Sequence, residues 1–241
     1  MQNVWFSVGI LAIPRLGKSK KTIIKMTTYF ISDIHLGHNK DFIYKTRGFD
    51  SIENHDSHFM KMWADTITYD DDVCLVGDFM MGGNKLSRAL DFFRRMPFQA
   101  INWYLGNHDP KYSKFVELEQ FKPIVEDEGI MFFRDGLRLK QVSIFDFDNQ
   151  LNTLWDYDMG EVLIGHLPYA GSTHKTAEVD PRESLYPFPT DKGLPRLHGH
   201  THRVSTSSRG INGGLQIHVG IDAWSRFVTL EEIQDVLKRS S

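Results

Sequence analysis

Five short apolar runs in this chain each end in an aspartate, an asparagine or a histidine. Tyr29–Ile31 leads to Asp33 and His35, Val73–Val76 to Asp78, Ile101–Leu105 to Asn107, Val162–Ile164 to His166, and Leu194–Leu197 to His200 and His202. Each run has the length of a buried strand, and in four of the five a glycine precedes the polar residue, where it permits a tight turn. Because open α/β sheets bind ligands at the carboxyl ends of their strands, we expect these side chains to meet at one edge. Carboxylate, amide and imidazole groups gathered there predict a metal centre.

The segments between these runs predict an α/β fold. A helix is expected to begin at Ser51 and a second to cover Leu86–Met96, so the first part of the chain alternates strand and helix and predicts a parallel sheet. Further along, the runs IMFF, LRLK and QVSIFDF alternate in polarity and predict antiparallel strands. Leu215–Val219 predicts another strand, and a capping box at Thr229 predicts a C-terminal helix through Leu237.

Composition limits the class of protein. The chain has 241 residues, of which 41% are hydrophobic and 24% charged, which favours one globular domain, expected over residues 26–241, above two small ones. The formal net charge of −3 argues against a protein that binds nucleic-acid backbones non-specifically. Cys74 is the single cysteine, so no disulfide can form within the chain, which fits a cytoplasmic protein.

Two segments stand apart from the strand pattern. Residues 1–25 carry the apolar stretch Val4–Ile13 followed by basic residues, which is the reverse of a signal peptide and too short to span a membrane. We expect a flexible leader or upstream extension there, with the functional start at Met26; the alternative is a membrane-surface anchor. Residues 170–193 form a long Pro-rich stretch without periodicity, which is typical of a functional lid or of disorder.

The order of the motifs, D-x-H, GD, GNHD, GH and GHTH, resembles the calcineurin-like metallophosphoesterase superfamily. The match runs from Ser32 to His202, and the flanking RGFDS and TLEEI stretches are similar to the small bacterial and phage-type branch. The resemblance implies an α/β fold with a four-layer α/β/β/α sandwich and mixed sheets, which the strand pattern alone does not specify.

The resemblance also implies a dinuclear centre. It assigns one metal to Asp33, His35, Asp78 and His202, and the second to Asp78, Asn107, His166 and His200. In that scheme Asp78 bridges both ions opposite a hydroxide. His108 donates a hydrogen bond to the phosphoryl group or the leaving oxygen, and Asp109 orients His108.

The donor types indicate which ions to expect. Imidazole, carboxylate and amide ligands without a thiolate suit Mn²⁺, Fe²⁺ or Zn²⁺ and argue against a structural zinc site. We expect two divalent ions, with Mn²⁺ first. A pair of such ions about 3.5–4 Å apart lowers the pKa of a water between them and holds both the attacking and the leaving oxygen.

Residues beside the motifs are candidates for substrate binding. His38 and Asn39 follow the first motif and could reach substrate; the alternative is a local role in the turn. Arg47 could bind a phosphate through its planar guanidinium; the alternative is a surface salt bridge. No convergent partner is expected for the histidines His55, His58, His174 and His218, each of which we interpret as structural or solvent-facing. His198 is expected to support the GHTH turn, and Asp222 to cap or anchor the last strand.

The predicted activity is hydrolysis of small phosphodiesters, with 2′,3′-cyclic nucleotides as a first assay. GDFMMGG lacks the Asp-Arg-Gly that serves the protein-phosphatase branch, and the HD after GN differs from that branch's HE, so the sequence argues against protein phosphatase activity. One alternative is a nuclease on single-stranded ends, which the acidic charge balance does not favour. The other is a binding scaffold that has lost its chemistry, although all of the ligand residues are present. No membrane partner is expected, and the oligomeric state is open.

Overall fold

A computed structural model describes residues 26–118, 121–125, 128–156, 160–171, 186 and 188–240. The predictions for the leader over residues 1–25, for His174, and for most of the 170–193 loop lie outside the described residues.

The described chain contains twelve strands and six helices. The strands are β1 (Thr28–Ile31), β2 (Asp72–Val76), β3 (Ala100–Tyr104), β4 (Phe121–Val125), β5 (Glu128–Asp135), β6 (Arg138–Phe145), β7 (Asn152–Asp156), β8 (Gly160–Ile164), β9 (Arg196–His198), β10 (Ser207–Arg209), β11 (Leu215–His218) and β12 (Val228–Thr229). The helices are α1 (Asp41–Tyr44), α2 (Ile52–Thr66), α3 (Lys85–Arg95), α4 (Tyr112–Val116), α5 (Ile221–Trp224) and α6 (Leu230–Ser240). None of these helices is long and apolar enough to cross a membrane.

The strands form two mixed sheets, so the fold is α/β. The first has the order β12-β1-β2-β3-β6-β5-β4, and its four central strands β1, β2, β3 and β6 are parallel. The second has the order β10-β11-β9-β8-β7, with β11, β9 and β8 parallel. The predicted alternation of strand and helix up to β3 is confirmed, and it places the carboxyl ends of β1, β2 and β3 at the same edge.

Alternation along the central strands divides the interior into two cores. On β2, Val73 and Leu75 pack against the helices α2 and α3, where Trp63 and Phe93 are fully buried. The opposite face of the first sheet, to which β12 contributes Val228, packs against the second sheet and α6 in a separate core. Cys74 of β2 lies buried in this second core.

Local signals located two helix starts correctly. Ser51 accepts a hydrogen bond from the amide of Asn54, 3.2 Å away, at the start of α2. At α6, the Thr229 amide donates to Glu232 Oε2 at 3.0 Å and the Glu232 amide donates to Thr229 Oγ1 at 3.3 Å, which is the predicted capping box. The helix continues to Ser240, past the expected end at Leu237.

One strand prediction needs correction. LRLK and QVSIF are a single strand, β6, because the segment pairs with β5 along its whole length while its second half also pairs with β3. The long pairing is possible because Lys140 is accommodated inside: its Nζ donates to the carbonyl oxygens of Phe93 (2.7 Å), Arg94 (3.0 Å) and Met96 (3.1 Å) at the end of α3. A cation at the carboxyl end of a helix interacts favourably with the helix dipole.

Candidate metal centre

The predicted ligands lie together where strands of both sheets end. Two triads of side chains offer ligand atoms within 4.8 Å of one another: Asp33, His35 and His202 form the first, and Asp78, His166 and His200 the second. In the first triad Asp33 and His35 follow β1 of the first sheet and His202 follows β9 of the second, whereas in the second triad Asp78 follows β2 of the first sheet and both histidines follow strands of the second. The two sheets are joined directly as well, because the amide of His200 donates to both oxygens of Asp33 at 3.0 Å.

Asp78 lies between the triads. Its Oδ2 is 3.6 Å from Nε2 of His35 in the first triad and 3.2 Å from Nε2 of His166 in the second. Its Oδ1 accepts a hydrogen bond from the amide of His108 at 2.9 Å, which fixes the carboxylate plane. One oxygen is therefore placed to face two ligand sets at once.

Three of the histidines present Nε2 to the centre because Nδ1 is engaged elsewhere. Nδ1 of His166 lies 2.9 Å from the carbonyl oxygen of Val76, and Nδ1 of His202 lies 2.8 Å from Oδ2 of Asp222. Nδ1 of His35 lies 3.3 Å from Nδ1 of His38. A partner on the distal nitrogen sets the tautomer and orientation of a ligating imidazole.

Oδ1 of Asn107 is buried at the site without a hydrogen-bond partner among the described residues. Such an atom carries a desolvation cost unless something binds it. The spacing of the donors fits a cation, since Nε2 of His35 and Nε2 of His202 are 3.1 Å apart and ligands bound at about 2.0–2.2 Å lie roughly 3 Å from each other. The residues present therefore fit divalent ions.

Burial and charge keep His35, His200 and the two carboxylates in the forms that metals bind. Burial lowers the pKa of His35 to about 3 and, together with the neighbouring His166, lowers that of His200 to about 4. Burial acts to raise the pKa of Asp33 and Asp78, but the histidines beside them outweigh it and both carboxyls have a pKa below the ordinary value. At His166 burial is again outweighed, and Asp78 raises the pKa to about 9. Nε2 of His166 must lose its proton before it can bind an ion, so metal binding at this position is expected to release a proton.

The backbone at the site is strained. Seven non-glycine residues of the described chain have positive φ, and five of them are predicted ligands: Asp33 (60°), His35 (56°), Asp78 (52°), His200 (70°) and His202 (51°). Aspartate and histidine tolerate this region better than most residues, and such strain clusters at functional sites. Gly77 and Gly199, which precede Asp78 and His200, allow the close backbone approach that was expected of them.

Gly106 shows that close approach most clearly. A Cβ on Gly106 would collide with the carboxylate and amide of Asp78, so the loop after β3 can pass against the loop after β2 only without a side chain.

Arg47 does not fit the prediction that it binds a phosphate. Its Nε and Nη2 donate to the two oxygens of Asp222 at 2.8 and 2.7 Å, and Nη2 also donates to the carbonyl oxygen of Asp33 at 2.7 Å. Its Nη1 donates to the carbonyl oxygen of Ile34 at 3.1 Å and lies 3.1 Å from Nε2 of His55. These contacts account for all five N–H groups, so Arg47 supports the first motif instead of offering a free fork.

Asp109 also has another role than the one expected. Its Oδ1 accepts hydrogen bonds from the amides of Phe79 (2.9 Å) and Met80 (3.0 Å), and its Oδ2 accepts from Gly106 (2.8 Å) and from Nε1 of Trp103 (3.1 Å). Both oxygens are thus directed at the loops after β2 and β3. Asp109 ties these loops together, and the described contacts do not direct it to the His108 ring.

A cleft of about 1290 Å³ opens over the two triads. His38 and His108, expected near substrate, line it, and so does the predicted ligand Asn107. Asn39 is exposed and is not among the lining residues, so its predicted contact with substrate is not supported. The sequence reasoning missed Lys40, Phe42, Phe188 and Arg203, which also line the cleft. They carry no motif of their own.

Three further predictions are corrected. His218 is buried against Asp33, with Nε2 3.7 Å from Oδ2, and stacks on His198 at a centroid distance of 5.3 Å. His55 is buried and joins Arg47 to Asp56, so it too has partners. Asp222, expected to cap or anchor the last strand, instead pairs with His202 and Arg47; burial acts to raise its pKa, but these partners lower it to about 2.

The chain is similar to proteins of two mycobacteriophages. It is 31% identical over 214 residues to the Gene 66 protein of Mycobacterium phage L5, covering 87% of this chain and 93% of that protein. It is 30% identical over 217 residues to the Gene 66 protein of Mycobacterium phage D29, covering 87% and 94%. A search against protein-family models found no match.

A solved structure shares the fold. The crystal structure of the protein of unknown function AQ665 from Aquifex aeolicus superposes with a TM-score of 0.53 at 17% identity, covering 88% of this chain and 100% of that one. At this level of identity the likeness concerns the fold alone, and it agrees with the α/β architecture.

Proposed function

We propose that this chain, which belongs to the family of the mycobacteriophage Gene 66 proteins, is a metal-dependent phosphodiesterase of the calcineurin-like metallophosphoesterase superfamily. The observation that carries the proposal is the position of Asp78, whose Oδ2 faces Nε2 of His35 on one side and Nε2 of His166 on the other. The motif order and the two triads support membership in the superfamily. The two cores, with α2 and α3 outside the first sheet and α6 against β11, support the four-layer arrangement.

The residues present divide into two ligand sets that share one carboxylate. Asp33, His35 and His202 with Asp78 would hold one ion, and Asn107, His166 and His200 with Asp78 the other. Two divalent ions bound there, Mn²⁺ first, would activate a water as the nucleophile and neutralise charge on the phosphoryl group.

The protein's own groups position the reaction. The hydrogen bond from the His108 amide orients the shared ligand Asp78, and the His108 ring lines the cleft beside it. A hydrogen bond from this ring to the leaving oxygen is the assistance that a poor alkoxide leaving group needs. Burial of the triads strengthens these electrostatic interactions, because solvent screening is reduced.

The charges around the cleft favour a diester over a monoester. A phosphate monoester carries an additional negative charge, and the nearest guanidinium, Arg47, is already neutralised by Asp222. Lys40 and Arg203 lie on the cleft wall, but the ligand positions themselves carry no basic side chain other than histidine. A small diester such as a 2′,3′-cyclic nucleotide places only one charge between the ions.

Turnover of bis-p-nitrophenyl phosphate tests the proposal directly. Metal-free protein reloaded with Mn²⁺ should bind two ions per chain and hydrolyse this diester with a higher catalytic efficiency than p-nitrophenyl phosphate. Asp65→Asn, an exposed aspartate on α2, is the matched control for Asp78→Asn and should leave metal content and turnover unchanged. A protein that binds both ions without hydrolysing any diester would establish the scaffold alternative instead.

One observation favours a second candidate, a nuclease on single-stranded ends. The side chain of Phe42 is 66% exposed while it lines the cleft, and Lys40 lies beside it in the sequence. Grooves that bind single strands have aromatic side chains on which the bases stack and basic side chains that contact the phosphate backbone. A parallel assay with labelled single-stranded oligonucleotides and 2′,3′-cyclic nucleotides decides between the two: shortening of the oligonucleotide from its end supports the nuclease, and hydrolysis of the cyclic nucleotide alone supports the small-molecule enzyme.

A further inference from the structure

The side chain of His38 connects a ligand of the centre to the cleft. Its Nδ1 lies 3.3 Å from Nδ1 of His35, and the residue, which is 8% exposed, lies on the cleft wall. The ring of His108 lies on the same wall at a centroid distance of 6.1 Å, and Phe42 packs edge-on at 5.5 Å. Among the described residues, His35 is the hydrogen-bond partner of the His38 ring.

The contact between the two rings determines where the proton of His38 resides. His35 directs Nε2 towards the centre, where Nε2 of His202 is 3.1 Å away, so a neutral His35 that binds a cation there carries its proton on Nδ1. This Nδ1–H can donate to His38 only if Nδ1 of His38 is the acceptor. A neutral imidazole with an acceptor Nδ1 carries its proton on Nε2, on the far side of the ring.

We propose that His38 is a hydrogen-bond donor to the phosphoryl oxygens of the substrate, with its tautomer fixed through His35 by the ion in the first ligand set. The inference rests on the proposed function. It assigns His38 a defined direction: Nε2–H is offered to an anion in the cleft, and the ring does not serve as a base towards substrate. With His108, it makes two donors on one wall facing the phosphoryl group.

Amide substitutions separate the two ends of the ring. Asparagine places its oxygen near the position of Nδ1 and keeps the acceptor for His35, but loses the distal donor. Glutamine places its nitrogen near the position of Nε2 and keeps the distal donor, but leaves Nδ1–H of His35 without its acceptor. Leucine removes both, and His58→Leu is the matched control, because His58 is an exposed histidine of the outer cleft that packs on Phe49.

Two binding measurements and one spectroscopic measurement test the inference without relying on turnover. His38→Gln and His38→Leu should weaken the binding of one Mn²⁺ by about 10- to 100-fold, as loss of a partner to a ligating histidine does, while His38→Asn binds metal like the parent. Inorganic phosphate should bind the Mn²⁺-loaded His38→Asn protein about tenfold more weakly, since a hydrogen bond to a charged group is lost. His58→Leu should change neither.

Nitrogen-15 NMR of the Zn²⁺-loaded protein reports the tautomer itself. We expect the His38 signal of an imidazole protonated at Nε2, with a shift of that nitrogen when inorganic phosphate is added. A His38 protonated at Nδ1, or unchanged phosphate affinity in His38→Asn, would overturn the inference while leaving the metal centre intact. A chain that binds no metal would overturn the proposed function and this inference together, so the two failures are distinguishable.

Discussion

Replacing Arg47 with methionine tests whether the ligand loops are held by an ion pair. Methionine keeps the unbranched apolar stem but removes the guanidinium, which donates to Asp222 at 2.8 and 2.7 Å and to the carbonyl oxygens of Asp33 at 2.7 Å and Ile34 at 3.1 Å. The substitution leaves two carbonyl groups without this donor and leaves the partly buried carboxylate of Asp222 with His202 as its remaining side-chain partner among the described residues.

The structure sets the size of the effect. The side chains of Arg47 and Asp222 are 9% and 17% exposed. Removing one partner of a fully buried pair costs about 3–5 kcal/mol, and because some water reaches Asp222 we expect a loss of about 2–4 kcal/mol in the free energy of unfolding for Arg47→Met.

Urea unfolding of the metal-free protein measures this loss without contributions from bound ions. Arg226→Met is the matched control, since Arg226 makes the same two-pronged contact with Glu232, at 2.9 and 2.6 Å, but the two side chains are 51% and 34% exposed. Exposed pairs contribute about 0–1 kcal/mol, so the control should lose no more than that. The slope of the unfolding free energy against urea should be the same for both variants.

A double variant checks the cause. Asp222→Asn removes the charge that Arg47→Met leaves unpaired, so the double variant should be no less stable than Arg47→Met alone. Equal losses below about 1 kcal/mol in Arg47→Met and Arg226→Met would refute the reasoning, because the pair at the ligand loops would then behave as a surface contact.

Four further outcomes are expected. Asp78→Asn should lower metal occupancy at both positions and remove nearly all turnover of bis-p-nitrophenyl phosphate, as measured by metal analysis and rate. His108→Ala should keep both metals and lose about 10²–10⁴-fold on a 2′,3′-cyclic nucleotide, but much less on the nitrophenyl diester, whose leaving group needs little assistance. Lys140→Met should cost about 1–3 kcal/mol in urea unfolding, because carbonyl groups at the end of α3 lose their donor. Hydrogen bonding from Arg226 holds the pKa of Glu232 near 2, so its stabilisation is present above the unfolded value of about 4.3 and is lost as pH falls towards 2; the stability difference from Glu232→Gln should disappear over that range.

Each of these has a result that contradicts it. Unchanged metal content in Asp78→Asn would remove the shared ligand from the scheme, and an equal loss on both substrates in His108→Ala would make that residue a general electrostatic contact. A Lys140→Met protein as stable as the parent would show that water satisfies the carbonyl groups at the end of α3. A stability difference for Glu232→Gln that persists at pH 2 would mean that charge is not its source.

The positions of the strand ends could be predicted because their signal is local. An apolar run, a glycine and a polar residue lie within a few residues of each other, and the rules for parallel connections bring such ends to one edge. The same locality explains the success at Ser51 and at the capping box of α6, where the partners are three residues apart.

The supporting contacts could not be predicted for the same reason. Arg47 and Asp222 are 175 positions apart in the chain, and neither has a neighbour that indicates the pairing. His218 was misjudged because its contact with Asp33 depends on the register of β11 beside β9, where His218 pairs with His198. The contacts of Asp109 with the amides of Phe79 and Met80 were not predicted, because these partners lie about 30 positions away in the chain.

The positive φ angles at five ligand positions bear on how substitutions in related chains should be interpreted. Glycine, asparagine, aspartate and histidine are the residues that enter this region most readily, whereas a β-branched residue at Asp33 or His200 would be opposed by the backbone before any ion is considered. A related chain that no longer bound metal would therefore still be restricted to nearly the same residue types at these turns. Asn107 and His166 are free of that constraint, since neither has a positive φ. In a divergent relative, the residue types at Asn107 and His166 therefore indicate whether metal binding is still under selection.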